Sequence, residues 1–247
     1  MSSVGIIGFG RFGKVLANIL QKGFSIKAHD PHAIASFPGV EFVDLDSILN
    51  EKTIFIAVPI RHFAAVITEI APNLSVGTTI LDVCSVKIHP VDVMKKHLPE
   101  SVGIIATHPM FGPDSFISNS RLKMMINNTR DTYNQFNFWK SFFIDQGIQI
   151  MEMSADEHDN LAAQTQGVTH FLGRMLKEFK IRKTSIDTQG FRDLLDLVDQ
   201  TCNDSWELYT DLQFYNPYTK AMIDKLKQAT ETLDNRLKDA HHDTMAT

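Results

Sequence analysis

Three groups of residues have types and spacings that could do chemistry. The stretch "VGIIGFGRFG" sets Gly8, Gly10 and Gly13 in a G-x-G-x-x-G pattern, directly after an apolar run and directly before the helical stretch "KVLANILQKG". In that context Gly8 permits a tight turn, Gly10 lets the backbone approach a pyrophosphate, and Gly13 lets the helix pack on the strand. The anion then rests on free N–H groups at the helix start, with Phe9, Arg11 and Phe12 completing the loop. The plainer reading of the same glycines is a tight turn and nothing more.

The second group is Asp30, which ends "SIKAHD" about 20 residues past the glycines, where an acid accepts hydrogen bonds from the adenosine ribose hydroxyls. A 2′-phosphate would meet that carboxylate, and "DPHAIASF" offers no arginine to offset it, only His29 and His32 nearby. NAD is therefore expected over NADP. The alternative for Asp30 is a cap on the turn before Pro31.

The third group gathers at strand ends. Ligands of an open parallel sheet bind at the carboxyl ends of its strands. There "IFIAVPI" sets Val58 and Pro59 as an apolar wall for nicotinamide or adenine. "ILDVCSVK" sets Ser85 and Lys87 just past the fourth strand, and "GIIATHPMFGP" sets His108 just past the fifth, on a loop stiffened by Pro109 and Pro113. An alcohol that loses hydride must also lose its hydroxyl proton. Neutral imidazole, with an unperturbed pKa of about 6.5, is the usual acceptor and contributes roughly 10²- to 10⁴-fold. A lone histidine is more often structural; its position beside the expected cofactor is what makes His108 a base.

These groups need a scaffold. Up to about residue 152, short apolar runs (4–7, 25–28, 53–58, 78–83, 103–106, 122–126 and 148–153) alternate with amphipathic stretches, the pattern of strands joined by helices. From Ser154 the pattern turns helical: "SADE" is a capping box, opening a run to about Phe179. Further helices are expected in "TQGFRDLLDLVDQT", "DSWELYTDLQFYN" and "PYTKAMIDKLKQATETLDNRLKDA". The expected fold is α/β: a Rossmann-type, doubly wound parallel sheet over 1–152, then an all-helical domain over 153–247 for substrate binding and dimerisation. A helical piece that small buries its apolar faces poorly alone, so a homodimer is expected.

Composition narrows the partners. Of 247 residues, 43% are hydrophobic, enough for a sizeable core, and the net charge of −5 has both signs interspersed. That charge pattern offers no basic face to nucleic acid and points to a small molecule instead. No run of about 18 apolar residues suggests a membrane span, the N-terminal stretch fits no secretory signal, and two cysteines suit a reducing cytoplasm. In the tail "HHDTMAT", His241 and His242 read as a metal site or, more simply, as a solvated end.

The ordered set "GFGRFG", "DVCSVK", "HPMFGP", "EHDNLAAQTQGVTHFLGRML", "SIDTQGF" and "TCNDSWELYTDLQFYNP" resembles the arogenate/prephenate dehydrogenase family of tyrosine biosynthesis, on its plant-like arogenate branch. The resemblance implies oxidative decarboxylation of a cyclohexadienol: hydride to nicotinamide, proton to His108, carbon dioxide lost, with Ser85 orienting the pair. Lys87 would support the nicotinamide side or the substrate carboxylate, or simply carry charge at a helix start. Gln166, Thr169, His170 and Thr188 resemble substrate contacts, with His170 equally readable as a packed helix histidine. Asp204 matches the acid that accompanies arogenate preference, because arogenate carries an ammonium where prephenate carries a keto group. It is also readable as the N-cap of "SWELY". Where other prokaryotic members have an arginine for the ring carboxylate, this chain has Asp196, leaving Arg174, Arg192 and Lys220 as candidates. A second class of reading is a non-catalytic, NAD-binding regulatory dimer. A different β-hydroxyacid or imine reductase on the same scaffold is a third.

Overall fold

All four residues of Thr53–Ile56 are buried, as are all four of Thr79–Asp82 and all seven of Gly103–Pro109. Runs of that kind belong to strands covered on both faces. The computed structural model describes residues 2–32, 36–112, 116 and 122–245, and they divide into two compact units, Met1–His158 and Asp159–Thr247.

In the first unit β1 (Ser3–Ile7), β2 (Ser25–His29), β3 (Val40–Phe42), β4 (Thr53–Ile56), β5 (Thr79–Asp82), β6 (Gly103–Pro109), β7 (Lys123–Arg130) and β8 (Gln149–Glu152) form one sheet in the order β3-β2-β1-β4-β5-β6-β7-β8. Topology runs outward in both directions from β1, which makes the fold the doubly wound Rossmann type, with its switch point between β1 and β4. Every pairing is parallel except β6 with β7. The helices of this unit are α1 (Arg11–Leu20), α2 (Leu45–Ile48), α3 (Ile60–Ile70), α4 (Ile88–His97) and α5 (Phe136–Asp145).

Core packing follows the sequence pattern. Helix α1 buries Val15, Leu16, Ile19 and Leu20 on one face, each worth about 1.5–3 kcal/mol relative to exposure. Trp139 and Phe143 of α5 are buried against Phe55 of β4, the tryptophan edge-on with ring centroids 5.0 Å apart.

Helix α6 (Ala155–Ala162) starts on the expected cap: the Glu157 N–H donates to Ser154 Oγ at 3.1 Å. The single helix expected to Phe179 is instead interrupted by a π-turn over Ala163–Gly167, followed by α7 (Val168–Glu178). Then come α8 (Gln189–Cys202), α9 (Trp206–Phe214) and α10 (Thr219–Met245). The turn brings Gly167 so close to α10 that a Cβ there would lie 3.2 Å from the Met222 side chain. Among the described residues no helix is long and apolar enough to cross a membrane.

Candidate active site

The carboxyl ends of the central strands lie in register. Ile7 is opposite Ile56, Ile56 opposite Asp82, and Asp82 opposite Ala106, while His29 of β2 is opposite Ile7. The glycine loop, Asp30, Val58 and Pro59, Ser85 and Lys87, and His108 therefore all leave one sheet edge.

Gly8 has φ +94°, and a Cβ there would sit 2.6 Å from the Ala57 carbonyl oxygen. One on Gly13 would sit 2.5 Å from the Gly8 carbonyl oxygen, whereas one on Gly10 would meet nothing within 4 Å. Gly8 and Gly13 are thus required by the protein's own backbone, and Gly10 keeps open the space above the first turn of α1. Gly10 is also the N-cap of α1 and supplies no side-chain acceptor, so the helix presents N–H groups to a ligand. These residues fit a dinucleotide pyrophosphate. Val58 closes the loop's other side, its Cγ1 3.0 Å from the Gly8 Cβ position, and Pro59 is exposed as the N-cap of α3.

Phe9 corrects one expectation, since its ring is buried, edge-on to Phe37 and Phe42 at 5.3 and 5.0 Å, leaving only its backbone for the loop surface. Phe12 is half-buried against Phe111, and Arg11 is exposed at the first position of α1. Asp30 Oδ2 accepts from the Phe9 N–H at 2.7 Å and Oδ1 from the His32 N–H at 2.8 Å. It caps its turn and anchors the glycine loop at once. An ionised carboxylate accepts at about four lone-pair sites, so this half-buried group keeps capacity for a ribose hydroxyl. His29 is tied through Nδ1 to the Val43 carbonyl at 3.1 Å. Residues 33–35 and Pro113 lie outside the described residues.

His108 lies within β6 rather than past its end, because β7 pairs with the last residues of β6, Met125 opposite His108 and Met124 opposite Pro109. A strand fixes the imidazole more firmly than a proline-stiffened loop would. Lys87 corrects a second expectation: with no solvent exposure, its ammonium is paired with the Asp82 carboxylate and donates to the Thr107 carbonyl. Its ammonium is thus held inside the sheet domain by Asp82 and Thr107. Thr107 is further fixed by Oγ1 donating to the Asp82 carbonyl at 2.5 Å and its N–H donating to Asp82 Oδ1 at 3.3 Å. Together Asp82 and Lys87 lock the backbone immediately before His108.

His108 is 3% exposed, and its Nδ1 lies 2.7 Å from Nε2 of His158, which is equally buried. Burial, then the neighbouring His158 and Lys87, hold the His108 imidazole well below its ordinary range, so it is neutral at pH 7. Ser85 is partly exposed on the turn after β5; among the described residues no hydrogen bond joins it to His108. Sequence reasoning missed His158, Asp82 and Thr107. An aspartate in the otherwise apolar run "TILDV" was the available signal for Asp82.

In the helical unit a second polar cluster forms. Gly173 of α7 allows close packing on α8, a Cβ there falling 2.0 Å from Thr201 Oγ1. That brings Asp204, two residues past α8, toward His170 and Arg174. Arg174 Nη2 donates to the Asp204 carbonyl at 2.5 Å, and its guanidinium lies 5.8 and 5.3 Å from the ring centroids of Trp206 and Tyr209. His170 is buried, and among the described residues its Nδ1 and the Arg174 Nε have no hydrogen-bond partner. Burial lowers the His170 pKa, opposed by the Asp204 carboxylate and reinforced by Arg174. The N-cap of α9 is Ser205, whose Oγ accepts from the Leu208 N–H, so Asp204 is not the cap. Thr188 caps α8 through the Phe191 N–H, and the Thr169 hydroxyl donates to the carbonyl of Gln166 in the π-turn. Arg192 donates to the Asp187 carbonyl and Lys220 pairs with Asp224, both exposed, which leaves Arg174 as the cation of the cluster.

Residues 34–129 match the family model described as prephenate dehydrogenase, nucleotide-binding domain, and residues 175–247 match the TYRAAT1-like C-terminal domain. Arogenate dehydrogenase 1, chloroplastic, of Arabidopsis thaliana is 34% identical over 95% of this chain, which spans 39% of that protein's length. Arogenate dehydrogenase 2, chloroplastic, of the same plant is 31% identical over 95% of this chain and is spanned for 69% of its length. A crystal structure of prephenate dehydrogenase from A. aeolicus with hydroxyphenyl propionate and NAD+ superposes with a TM-score of 0.77 at 18% identity, covering 98% of this chain and 92% of that one. At that identity the likeness is one of fold.

Proposed function

The chain belongs to the arogenate/prephenate dehydrogenase family, and from that premise we propose that it catalyses NAD-dependent oxidative decarboxylation of arogenate to tyrosine. The observation that carries the reading is a buried, neutral His108 on the same sheet edge as the glycine loop. A bound nicotinamide supplies the hydride acceptor for the ring carbinol.

The loop from Gly8 to Gly13, with Asp30, Val58 and Pro59, holds the dinucleotide. His108 accepts the proton of the ring hydroxyl: the O–H bond breaks and an N–H bond forms on the imidazole. The electron pair of the bond to the departing carboxylate enters the ring as carbon dioxide leaves, and the imidazolium returns the proton to the resulting phenolate to give tyrosine. Ser85, partly exposed after β5, orients hydroxyl and imidazole. Gln166, Thr169, His170 and Thr188 contact the substrate, and Arg174 takes its ring carboxylate. Asp204, beside the Ser205 cap and acting electrostatically on His170, pairs with the side-chain ammonium that distinguishes arogenate from prephenate.

Asp30 favours NAD over NADP. Two free cysteines support a reducing compartment such as the cytoplasm. Exposed Phe179, Ile186, Trp206 and Phe214 in the helical unit support a homodimer, for which light scattering should return twice the chain mass.

The decisive experiment is steady-state production of NADH or NADPH with arogenate and prephenate in turn. Turnover is expected with arogenate and NAD, and His108→Asn should lower kcat by about 10²- to 10⁴-fold while NAD still binds. Preference for prephenate would move the substrate assignment, and absence of turnover with either would return the chain to the non-catalytic, NAD-binding reading.

A further inference from the structure

An imidazole can act as a base only through a nitrogen whose lone pair is free, and the partner of the other nitrogen decides which one that is. His108 Nδ1 and His158 Nε2 are 2.7 Å apart, with ring planes 79° apart and both rings buried. One proton lies between these two nitrogens. If it sits on His158, His108 accepts at Nδ1 and carries its own proton on Nε2, where it could only donate. If it sits on His108 Nδ1, the Nε2 lone pair is free.

We propose that His158 is the positioning residue of the active site: it accepts a hydrogen bond from His108 Nδ1–H and so holds the base in the tautomer whose Nε2 takes the substrate's proton. This rests on the function proposed above. When Nε2 is protonated, the bond to His158 becomes charge-assisted and strengthens, stabilising the imidazolium at the moment it forms. Among the described residues, the ion pair packed nearest His108 is Lys87, at the start of α4, with Asp82, at the end of β5.

The backbone is arranged to hold His158 there. Asn127 of β7, paired with Ala106 of β6, donates through Nδ2 to the Met153 carbonyl at 2.9 Å. One residue later Ser154 caps α6, and the His158 N–H donates to the Ser154 carbonyl at 3.0 Å. Thus β6, β7 and the first turn of α6 form a continuous brace from one imidazole to the other. Were the contact only packing, two aromatic or aliphatic side chains would fill the space without the cost of burying imidazole nitrogens.

The test compares His158→Phe, which keeps the ring and removes the acceptor, with His158→Gln, whose amide oxygen can replace Nε2. His158→Phe should lower kcat by about 10²-fold or more with KM for substrate and NAD within about twofold, while His158→Gln recovers most of the loss. Independently of turnover, nitrogen-15 NMR of the histidine-labelled full chain, with His108→Asn for assignment, should show His108 protonated on Nδ1 in the wild type and Gln variant. That preference should be lost in the Phe variant. The inference is overturned if wild-type His108 carries its proton on Nε2, or if His158→Phe retains wild-type kcat. Should the Phe variant not fold, the wild-type spectrum and the Gln variant still decide. A wild-type chain with the Nδ1–H tautomer but no turnover of either substrate would fail the functional reading alone.

Discussion

Lys87 and Asp82 form an ion pair in which neither side chain has any solvent exposure, five residues apart across the end of β5. Burial pushes the Asp82 carboxyl upward, against the pull of the Lys87 ammonium and the Cys84 and Thr107 N–H groups. Removing one partner leaves the other buried and uncompensated, which costs about 3–5 kcal/mol. Lys87→Met should lose that much in urea unfolding. The double variant Asp82→Asn, Lys87→Met should recover part of it, because no charge then remains to be buried. A wild-type midpoint for Lys87→Met would mean the pair does not brace β6.

His108 is held well below its ordinary value of 6.5 by burial. Its folded-state value is depressed, so at higher pH both folded and unfolded states carry neutral imidazole and nothing is lost. As pH falls below 6.5 the unfolded chain takes up a proton that the folded chain refuses, and stability falls. His89 and His170 are lowered as well, again with burial as the leading cause, and act in the same direction. Between about pH 7.5 and 5.5 His108 should therefore contribute a destabilisation that grows as the pH falls. Denaturant titrations at the two pH values should show a smaller loss in His108→Asn than in wild type. An equal loss would mean that His108 is solvated.

The three glycines of the nucleotide loop should respond differently to alanine. Gly8→Ala and Gly13→Ala drive a Cβ into backbone oxygens at 2.6 and 2.5 Å, so both should lower the melting temperature. Gly10→Ala meets nothing within 4 Å and should melt as wild type. Its methyl would occupy the space a pyrophosphate needs, so the dissociation constant for NAD should rise about tenfold or more, about 1.4 kcal/mol. Titration of NAD with tryptophan fluorescence, alongside thermal melts, separates the two effects. Unchanged NAD affinity in Gly10→Ala would remove the loop from the cofactor site.

What was legible in the sequence was local or topological. The glycine spacing between a strand and a helix announces its own geometry, and alternation of apolar runs with amphipathic stretches sets the sheet edge on which His108 lies. Burial and distant pairing were not legible. Lys87 reads as a surface lysine at a helix start because its partner and its burial depend on β5, β6 and α4 packing together. His158 meets His108 across 50 residues, through a brace that runs over two strands and a helix cap. Strand β3, three partly exposed residues at the sheet edge, is too short to show a period, and the antiparallel return of β7 turned an expected loop histidine into a strand residue.

Asp204 and Ser205 divide the work at the start of α9, Ser205 capping the helix while the Asp204 carboxylate acts on His170. Asp204→Asn keeps the size and the backbone carbonyl that Arg174 holds, and removes only the charge. If that charge pairs with the arogenate ammonium, kcat/KM for arogenate should fall while that for prephenate rises or holds, shifting the ratio by about tenfold or more, about 1.4 kcal/mol. The helix cap is untouched, so the melting temperature should stay near wild type, which distinguishes lost recognition from a loosened α9. Ser205→Ala is the converse control: it should cost about 1 kcal/mol of stability and leave the substrate ratio alone. An unchanged ratio in Asp204→Asn would take substrate choice away from this carboxylate and leave it with His170 and Arg174 themselves.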